Sequence, residues 1–531
     1  MTLSRAGPEI ELKLVVPAEA VRRLAAHRLL KGRVRPARQR LYSVYFDTPA
    51  LDLWRQGIAL RVRREGRRWV QTVKGGGSAK GGLHQRTEAE VEVAGPVPDV
   101  SRVRDRELAG AFASARLRAQ LAPVFITEFT RSSRVLELDA ETRVEASVDQ
   151  GMIRSGKRAE PLSELELELK GGAPHHLYDL ALKLADDIPL SIEDRSKADR
   201  GYALARDERA APVKARPAAL ERGMSVNDAF KVVMWASLAH LQANERGMLE
   251  GRDPEFLHQM RVALRRLRSA LSVFAPPLPG PVIAPVRNEL KWFAASLGPA
   301  RDWDVFVTET LPPIEAEFGA HGGLSDFSTR CDRLRRGAGA RARRAVRSAR
   351  YRRLGLSTAA WLSSEGWLSE LDPEAGAALR SPVGEFAAAV LDWRYNQVRK
   401  KGRKLGEQSP VELHRLRIAI KKFRYAADFF AGLYEPGAAR QALKRLSRLQ
   451  DVLGAMNDAA TVANLMAGAF DGARGRRVLE AKGILLGWSR GRAATLRREL
   501  NSAWKEFRSA EKFWSMAPVL RHPSLVARHA S

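Results

Sequence analysis

The chain has 531 residues, of which 45% are hydrophobic and 28% are charged. This length accommodates two to four domains, each with its own core. The charged fraction and the lack of an apolar run of about 18 residues argue against a membrane-spanning protein, and the N-terminus has no secretory pattern. The single cysteine, Cys331, excludes an internal disulfide bond, so we expect a cytoplasmic protein without a membrane partner.

Positive charge is concentrated in the second part of the chain. Lys and Arg outnumber Asp and Glu by 90 to 61, which gives a net charge of +29. Residues 1–210 contain 37 basic and 30 acidic residues, so 53 basic and 31 acidic residues follow them. Such a surface attracts polyanions, and nucleic acid, anionic lipid and polyphosphate are all compatible with it.

Residues 1–208 are predicted to form an α+β domain. Short segments with period-two alternation recur, among them "EIELKLVV", "GIALRVRR", "RTEAEVEV" and "LSELELEL", and this period is typical of strands. Glycine-rich stretches such as "KGGGSAKGG" separate some of them, and "APHHLYDLALKLADD" is predicted to be a helix. Together they predict an N-terminal antiparallel β barrel, closed or nearly closed, with flanking helices. Residues 209–221, rich in Ala, Pro and charge, are predicted to be a linker.

From residue 222 onward the period becomes helical, and the sequence repeats. "LHQMRVALRRLRSALSVF" from Leu257 and "LHRLRIAIKKFRYAADFF" from Leu413 lie 156 residues apart, as do Gly298 and Gly454 in two "LG" motifs. One offset shared by two landmarks indicates duplication. We therefore predict a mostly α-helical domain of two repeated helical-bundle halves. The predicted limits are about 222–375 and 376–515 for the halves, and 516–531 for a C-terminal tail.

The strands of the first domain carry charged faces of one sign. Alternation places Glu9 and Glu11 with Lys13 on one side of the first strand, and it places Arg61 beside Arg63 on another strand. A single charged strand face usually lies in water, but strands that are wholly acidic or wholly basic favour a polar barrel interior. Carboxylates ligate Mg²⁺ or Mn²⁺, and neighbouring arginines and lysines bind phosphate oxygens. A triphosphate site needs both kinds of group.

These residues resemble the CYTH domain, the family of triphosphate tunnel metalloenzymes, over roughly residues 5–205. The resemblance implies a tunnel barrel that binds a triphosphate and divalent metal ions, with either Mg²⁺ or Mn²⁺ as the cofactor. The residues that carry it are Glu9, Glu11, Lys13, Arg61, Arg63, Lys74, Arg86, Glu88, Glu90, Arg131, Asp149, the "ELELEL" strand and Lys197.

The resemblance also implies individual roles. The implied metal ligands are Glu9, Glu11, Asp149, Glu164, Glu166 and Glu168, with the register of the last three left open because "ELELEL" aligns in two ways. The implied phosphate-binding residues are Lys13, Arg61, Arg63, Lys74, Arg86, Arg131 and Lys197. The implied catalytic set is Glu9, Glu11, Lys13, Asp149 and Lys197. For Glu90 and Arg134, a structural and a functional role are both open.

In the helical part, two copies of a basic helix face repeat with the same spacing. A basic helix face is often only solvated, but the repetition, with a histidine at the same position twice, favours an anion ligand. Metal binding by these histidines is the weaker interpretation, because cations surround them. The predicted polyphosphate-binding residues are His258, Arg261, Arg265 and Arg268 in the first copy, and His414, Arg417, Lys421 and Arg424 in the second.

Residues 222–515 resemble the CHAD domain, the conserved histidine α-helical domain, through "HxxRxxxRRLR", its second copy and the two "LG" motifs. This resemblance implies a helical fold that binds inorganic polyphosphate. The second "LG" motif departs from the first, with Asn457 in place of Arg301 and Ala460 in place of Asp304.

The predicted function is divalent-metal-dependent hydrolysis of inorganic triphosphate or polyphosphate, with the helical domain binding polyphosphate. Two alternatives stay open: a non-catalytic polyphosphate-binding protein, and a nucleotide triphosphatase or class IV-like adenylate cyclase. No RNA-binding signature is visible, and aromatic residues do not alternate with the basic clusters, so we expect no specific nucleic-acid partner. The sequence makes no prediction of oligomeric state.

Overall fold

The computed structural model describes residues 9–31, 36–251, 253–319, 322–469 and 475–515. The chain divides into two compact units, each assembled from two stretches of sequence: Met1–Ala210 with Ala349–Glu365, and Ala211–Ser348 with Gly366–Ser531. The second unit therefore begins inside the predicted linker. The predicted tail and the side chains of Asn457 and Ala460 lie outside the described residues. The predicted domain limits stay predictions.

The strands of the described chain all belong to one sheet in the first unit. They are β1 (Glu9–Val15), β2 (Ala37–Asp47), β3 (Ala59–Glu65), β4 (Arg68–Lys80), β5 (Leu83–Val93), β6 (Ala122–Glu137), β7 (Arg143–Ser155), β8 (Arg158–Gly171) and β9 (Ser191–Ile192). Their order is β5-β4-β3-β2-β6-β7-β8-β1-β9, and β1 pairs with β5 as well. This extra pairing closes eight antiparallel strands into a barrel, which confirms the predicted fold of the first domain.

The glycine-rich stretch "KGGGSAKGG" lies mostly inside a strand, and only Gly81 and Gly82 at its end form the turn that separates β4 from β5. β4 continues to Lys80, with a bulge between Gly75 and Ser78 where its register against β5 shifts. Gly77 has φ +85°, and a Cβ atom there would lie 1.8 Å from the carbonyl oxygen of Gln85. Only glycine fits this bulge, so local composition alone was a misleading turn signal here.

The helices follow in chain order. They are α1 (Val21–Ala25), α2 (Asp52–Arg55), α3 (Arg106–Gly110), α4 (Ala115–Ala119), α5 (His175–Ala185), α6 (Lys197–Ala205), α7 (Val226–Ala243), α8 (Glu245–Glu250), α9 (Glu255–Val273), α10 (Gly280–Val305), α11 (Leu311–Phe318), α12 (Gly322–Arg347), α13 (Ala349–Ser364), α14 (Pro373–Arg380), α15 (Val383–Lys401), α16 (Pro410–Phe430), α17 (Pro436–Ala469) and α18 (Arg476–Arg508). In the described residues, no helix is both long and apolar enough to cross a membrane.

Two helices cover the outside of the barrel where β1 and β8 pair. The apolar face of α5 contacts β8 and buries Leu177 and Leu184 completely. Helix α13 packs against α5 within the same unit, and Arg353 of α13 pairs with Asp186. The barrel unit is therefore completed by a helix that lies about 140 residues beyond the end of its first stretch in the sequence.

The second unit is helical and internally symmetric, which confirms the predicted repeat. At the start of α7, the amide of Val226 donates to the carbonyl of Ser381 at 2.9 Å. At the start of α15, the amide of Val383 donates to the carbonyl of Met224 at 2.8 Å. Val383 lies 157 positions after Val226, and Ser381 lies 157 positions after Met224, so this reciprocal exchange is what related halves produce around a local two-fold axis.

Candidate active site

The opening strand has no solvated face. Glu11 lies opposite Glu168, and Lys13 lies opposite Glu166, in the register of β1 against β8. Paired residues of antiparallel strands point to the same side of a sheet, so these side chains face the barrel interior. Leu12 and Leu14 point outward and are fully buried. Charge on one side and leucine on the other therefore reflect a strand that is covered on both faces.

Three carboxylates converge in the barrel and form what we call the carboxylate cluster: Asp149, Glu164 and Glu166. Their oxygen atoms lie within 4.8 Å of one another, and all three side chains are buried. Asp149 lies opposite Glu164 in the register of β7 against β8, and Glu166 follows two residues later on the same face. The period-two rule thus brings them together.

Cations surround the carboxylate cluster. Arg131 binds Asp149 with two parallel hydrogen bonds of 2.8 and 2.7 Å, and it also pairs with Glu166. Lys197 Nζ lies 2.8 Å from Asp149 Oδ2 and 2.9 Å from Glu166 Oε1, and it donates to Glu164 as well. A bidentate arginine and a shared ammonium offset the repulsion among buried carboxylates.

The environment separates the acidities of these three groups. Burial would raise the pKa of each carboxyl group, but the charges of Arg131 and Lys197 hold the pKa of Asp149 below its ordinary value. Lys13, Lys197 and Arg131 together hold the pKa of Glu166 well below its ordinary value. At Glu164 burial prevails, helped by the charge of Glu166, and the pKa is raised. Glu164 is therefore the member of the cluster most ready to take up a proton.

The first strand adds two carboxylate–lysine pairs to the interior. Lys13 Nζ lies 2.8 Å from Glu11 Oε1 and also pairs with Glu166, so it links β1 to the carboxylate cluster. Lys74 Nζ lies 2.7 Å from Glu9 Oε2 and 3.1 Å from Glu88 Oε2. Glu9 is thus paired with Lys74, whereas Glu11 is paired with Lys13, which also contacts Glu166 of the carboxylate cluster.

Buried arginines with incomplete pairing line β3. Arg61 lies 3.6 Å from Glu88 and 3.7 Å from Glu90, both long for an ion pair. Arg63 donates to Ser43 at 3.3 Å and lies 3.6 Å from Glu65. Burial, followed by repulsion from Arg61 and Arg131, lowers the pKa of Arg63 to about 10. A buried cation next to other cations is a position that an anion would stabilise.

Helix α6 carries cationic residues to the barrel interior. Ser196 and Asp199 form a capping box at its start. Asp199 lies 3.4 Å from Arg86 of β5. Arg200 donates to Glu160 at 3.0 Å, to Glu164 at 3.3 Å and to the carbonyl of Pro161 at 2.6 Å. These bonds attach α6 to β5 and β8 and fix the position from which Lys197 reaches the carboxylate cluster.

Two other predicted residues have different surroundings. Glu168 faces the interior but pairs with Lys170 at 2.5 Å, and Lys170 also lies 3.3 Å from Glu145, so Glu168 is not in the carboxylate cluster. Arg134, for which both roles were open, donates to the carbonyls of Leu30 and Ala25. Its contacts hold the chain segment after α1 against β6 and are structural.

Sequence reasoning assigned no role to three residues of the barrel interior, of which only Glu88 was named, among the residues that carry the first resemblance. Glu88 pairs with Lys74 and Arg61, and Arg200 binds Glu164. His84 is buried on β5, and burial, with the nearby charge of Lys13, lowers its pKa to about 4. His84 lies two positions before Arg86 and Glu88 lies two positions after it on β5, so the period-two rule places both on the same face as Arg86. Arg200 had no such signal, because it lies on a helix.

The carboxylate cluster is a suitable donor set for a divalent ion. Its three side chains supply only hard oxygen donors, and these lie close enough together to ligate one ion. Lys197 occupies the same neighbourhood with a single positive charge. The residues that fit such an ion are therefore Asp149, Glu164 and Glu166, while Glu11 adjoins them through Lys13.

The first basic helix face lies on α9 and is crowded with positive charge. His258, Arg261 and Arg265 are half-buried, and Arg268 is exposed. Burial lowers the pKa of Arg261, and repulsion from Arg265 and Arg301 lowers it further. Burial and the same kind of repulsion lower the pKa of His258.

The second basic helix face lies on α16, beside the first. Arg265 of α9 donates to the hydroxyl of Tyr425 on α16 at 3.0 Å, so the two repeated helices touch. Arg424 donates to Ser447 at 3.4 Å. His414 is exposed, whereas Arg417 and Lys421 are half-buried. Both predicted sets of residues are thus present in one helical unit, on adjacent helices.

Comparisons with known proteins agree with both units. An inorganic triphosphatase of Haemophilus influenzae is 32% identical over 203 residues, which is 37% of this chain and 54% of that protein, so the chain spans about half the length of this curated relative. The crystal structure of the CHAD domain from the plant Ricinus communis is 30% identical, with a TM-score of 0.50, and covers 57% of this chain and 98% of that one. PptA from Streptomyces chartreusis is 18% identical, with a TM-score of 0.43 and coverage of 53% and 100%.

Family models match the two parts separately, one at residues 7–202 and the other at residues 232–467. The first match covers the closed barrel and most of α6, and the second covers the helices from α7 to most of α17. The chain therefore contains a CYTH domain followed by a CHAD domain.

Proposed function

We propose that the barrel hydrolyses inorganic triphosphate or polyphosphate with the help of a divalent metal ion. The observation that carries the proposal is the carboxylate cluster, buried in a closed barrel whose interior also holds arginines with incomplete pairing. In a metal–triphosphate complex, the metal ion supplies positive charge to the carboxylate cluster, and the phosphate oxygens supply negative charge to the arginines. The similarity to an inorganic triphosphatase supports the same substrate class.

The cations of the interior are assigned to the phosphate chain. Arginine binds two phosphate oxygens at once, and lysine binds as a point charge. Arg63 has the strongest reason to accept an anion, because its partners are incomplete and its neighbours are positive. The proposed phosphate-binding residues are Lys13, Arg61, Arg63, Lys74, Arg86, Arg131 and Lys197.

Glu11, Asp149, Glu164 and Glu166 are assigned to the metal ion, with Glu9 and Glu168 as outlying carboxylates of the same interior. A bound ion supplies Lewis-acid polarisation of the phosphoryl group and neutralises its charge. To make room for it, Lys197 has to leave the carboxylate cluster, and its ammonium group is then available to phosphate.

The reaction itself requires water to attack the terminal phosphorus. A P–O bond to the water oxygen forms, and the bond from that phosphorus to the bridging oxygen breaks, which releases phosphate and a shorter chain. Asp149 and Glu166 are held ionised by their cationic partners, so either carboxylate can accept a hydrogen bond from the attacking water. Lys197 and the arginines stabilise the charge on the leaving chain.

The CHAD domain is assigned to polyphosphate binding through the two basic helix faces. The cations of the first face crowd one another, and an anion relieves that repulsion. Binding a long chain near the barrel raises its local concentration. A cytoplasmic location, where phosphate anhydrides are available, is part of the same proposal.

The test is phosphate release from tripolyphosphate, long-chain polyphosphate and ATP, each with Mg²⁺, Mn²⁺ or EDTA. Glu166→Gln removes a central carboxylate, and Glu128→Gln is the matched control, because Glu128 lies on the same barrel but pairs with Arg40 outside it. We expect metal-dependent release in the wild-type and Glu128→Gln proteins and a loss of at least 100-fold in Glu166→Gln, on the order of the effect of removing a group that stabilises the transition state.

The same assay separates the two alternatives. A non-catalytic binding protein retains polyphosphate without releasing phosphate under any condition. A nucleotide triphosphatase prefers ATP, and a class IV-like adenylate cyclase converts it to cyclic AMP and pyrophosphate. Any of these results would overturn the proposed triphosphatase.

A further inference from the structure

His84 is a buried histidine of the barrel interior to which none of the roles above is assigned. It lies on β5 directly opposite Glu11 of β1, so the two side chains share the interior face. Only 1% of its surface is exposed. Lys13 and Arg86, which also face the interior, are among the charges that act on it.

The two ring nitrogens of His84 differ in their surroundings. Nε2 lies 3.2 Å from the backbone carbonyl oxygen of Glu193. A carbonyl can only accept, so Nε2 carries the proton in this hydrogen bond and Nδ1 presents a lone pair. Nδ1 is buried and has no hydrogen-bond partner in the described structure. A lone pair without a partner is thus held inside the barrel, on a ring whose cross-strand neighbour is Glu11.

Neither charged neighbour satisfies Nδ1. Glu11 is an acceptor when ionised and has nothing to donate. Lys13 is committed to Glu11 at 2.8 Å and to Glu166. A ring whose far N–H is anchored on a backbone carbonyl, with a free lone pair and a carboxylate as its cross-strand neighbour, is the arrangement that typically orients a metal-ligating histidine.

We propose that His84 Nδ1 joins the Glu11 carboxylate as a ligand of the divalent ion of the barrel interior, and that this ion is a transition metal, Mn²⁺ being the physiological example. The use of this ion in catalysis rests on the proposed function, whereas its ligation does not. Mg²⁺ takes oxygen donors, whereas the first-row transition-metal ions, of which Mn²⁺ binds the most weakly, also accept an imidazole nitrogen. His84 would therefore decide a metal preference that carboxylates alone leave open.

Binding here changes the partners of Lys13. The ion replaces the lysine ammonium as the counter-charge of Glu11, since both cannot lie close to that carboxylate without repulsion. Lys13 is then released toward a phosphate oxygen. The Asp199 carboxylate, 3.4 Å from Arg86, offsets the charge of that arginine near the bound ion.

The test reads the metal ligands directly in the full-length protein. Electron spin echo envelope modulation of bound Mn²⁺ detects the nitrogen of a coordinated imidazole without any turnover. We expect this signal in wild-type protein titrated with Mn²⁺, and its loss in both His84→Phe and His84→Gln. Glutamine keeps a polar group for the Glu193 carbonyl, so it serves if phenylalanine prevents folding. The wild-type ratio of Mn²⁺ to Mg²⁺ affinity should fall at least tenfold in the variants.

Two control variants separate this site from other histidines. His240 of α7 is a comparable buried histidine: its Nε2 lies 2.9 Å from the Val213 carbonyl oxygen and 3.1 Å from Gln259 Oε1, and its Nδ1 is buried without a partner. His240→Phe should keep the signal. His175 and His176, with Asp179, are near enough together to hold an ion on the surface. A signal that disappears in His175→Gln/His176→Gln and persists in His84→Phe would overturn the proposal.

The outcome also distinguishes this inference from the proposed function. Imidazole coordination that depends on His84, in a protein that releases no phosphate, would support the site and overturn the triphosphatase. Metal-dependent release from a protein whose Mn²⁺ shows no coordinated imidazole would support the triphosphatase and overturn the role of His84.

Discussion

Lys197 should matter to the stability of the barrel in a way that a divalent ion can replace. Its ammonium group contacts all three carboxylates of the carboxylate cluster, and only 7% of its side chain is exposed. Lys197→Met keeps the length and the apolar stem but removes the charge. Four cations, Lys13, Arg131, Lys197 and Arg200, then become three against the four carboxylates of Glu11, Asp149, Glu164 and Glu166.

The magnitude follows from leaving one buried negative charge without compensation. Removing one partner of a buried ion pair costs about 3–5 kcal/mol. For a unit of this size, 1 kcal/mol corresponds to about 2–4 °C in Tm, so the barrel transition of metal-free Lys197→Met should fall by roughly 6–20 °C at pH 8. Glu164, whose pKa is already raised, is the group that takes up a proton as the pH falls, and the deficit should shrink accordingly.

Differential scanning calorimetry of the full chain, with EDTA or with Mn²⁺, measures this effect. The variant lacks the ammonium that competes for the carboxylate cluster, so Mn²⁺ at 100 times its Kd should restore about 2.7 kcal/mol, a larger shift than in the wild type. Lys80→Met, an exposed lysine on the same barrel, is the control and should melt within about 1 °C of wild type. Equal melting of the two variants, or equal Mn²⁺ shifts in Lys197→Met and wild type, would refute the reasoning.

Three further predictions concern charge in both domains. At pH 8, Glu166→Gln should lower Tm more than Glu164→Gln does. The lowered pKa of Glu166 contributes stability at pH values above the unfolded-state pKa of about 4.3, whereas the raised pKa of Glu164 costs stability at pH 8. Thermal melts at pH 8 and pH 4 should show that the difference in Tm between the two variants is smaller at pH 4. Arg63→Gln should reduce kcat/KM for tripolyphosphate by about tenfold to a hundredfold, which corresponds to the loss of one charge-assisted hydrogen bond. Arg40→Gln is the control and should leave kcat/KM unchanged, because the Arg40 side chain is 80% exposed. Equal kinetics in the two variants would contradict the role of Arg63. The double variant Arg261→Gln/Arg265→Gln should raise the Kd for long-chain polyphosphate at least tenfold in a titration at fixed salt and leave tripolyphosphate turnover unchanged. A parallel loss of turnover would contradict the assignment of polyphosphate binding to the CHAD domain and of hydrolysis to the barrel.

Much of the barrel was predictable because period two assigns each residue of a strand to a face. Glu11, Lys13 and Glu166 share the interior for that reason, and His84 was available by the same rule. The number of alternating strands predicted a barrel, but it did not predict that β1 and β5 are the two strands whose pairing closes it.

Helical positions gave no comparable signal about the barrel. Lys197 reaches the carboxylate cluster because the hydrogen bonds of Arg200 to Glu160, Glu164 and Pro161 place α6 against β8, and these are tertiary contacts that no local pattern encodes. Likewise, the repeat identified α9 and α16 as related helices, but the hydrogen bond between Arg265 and Tyr425 depends on how the halves pack. The glycines after Lys74 mark a bulge, since a close backbone approach and a turn select the same residue.

The position of α13 in the barrel unit has a consequence for how the protein is made. The first stretch of that unit ends at Ala210, and its second begins at Ala349. At about 5–20 residues per second, a ribosome needs roughly 7–28 s to synthesise the intervening chain. During that interval the nascent barrel exposes the surface of α5 that α13 covers in the finished protein. Folding of the barrel unit therefore ends only after much of the CHAD domain has been translated, and a chaperone has several seconds in which to bind the uncovered α5.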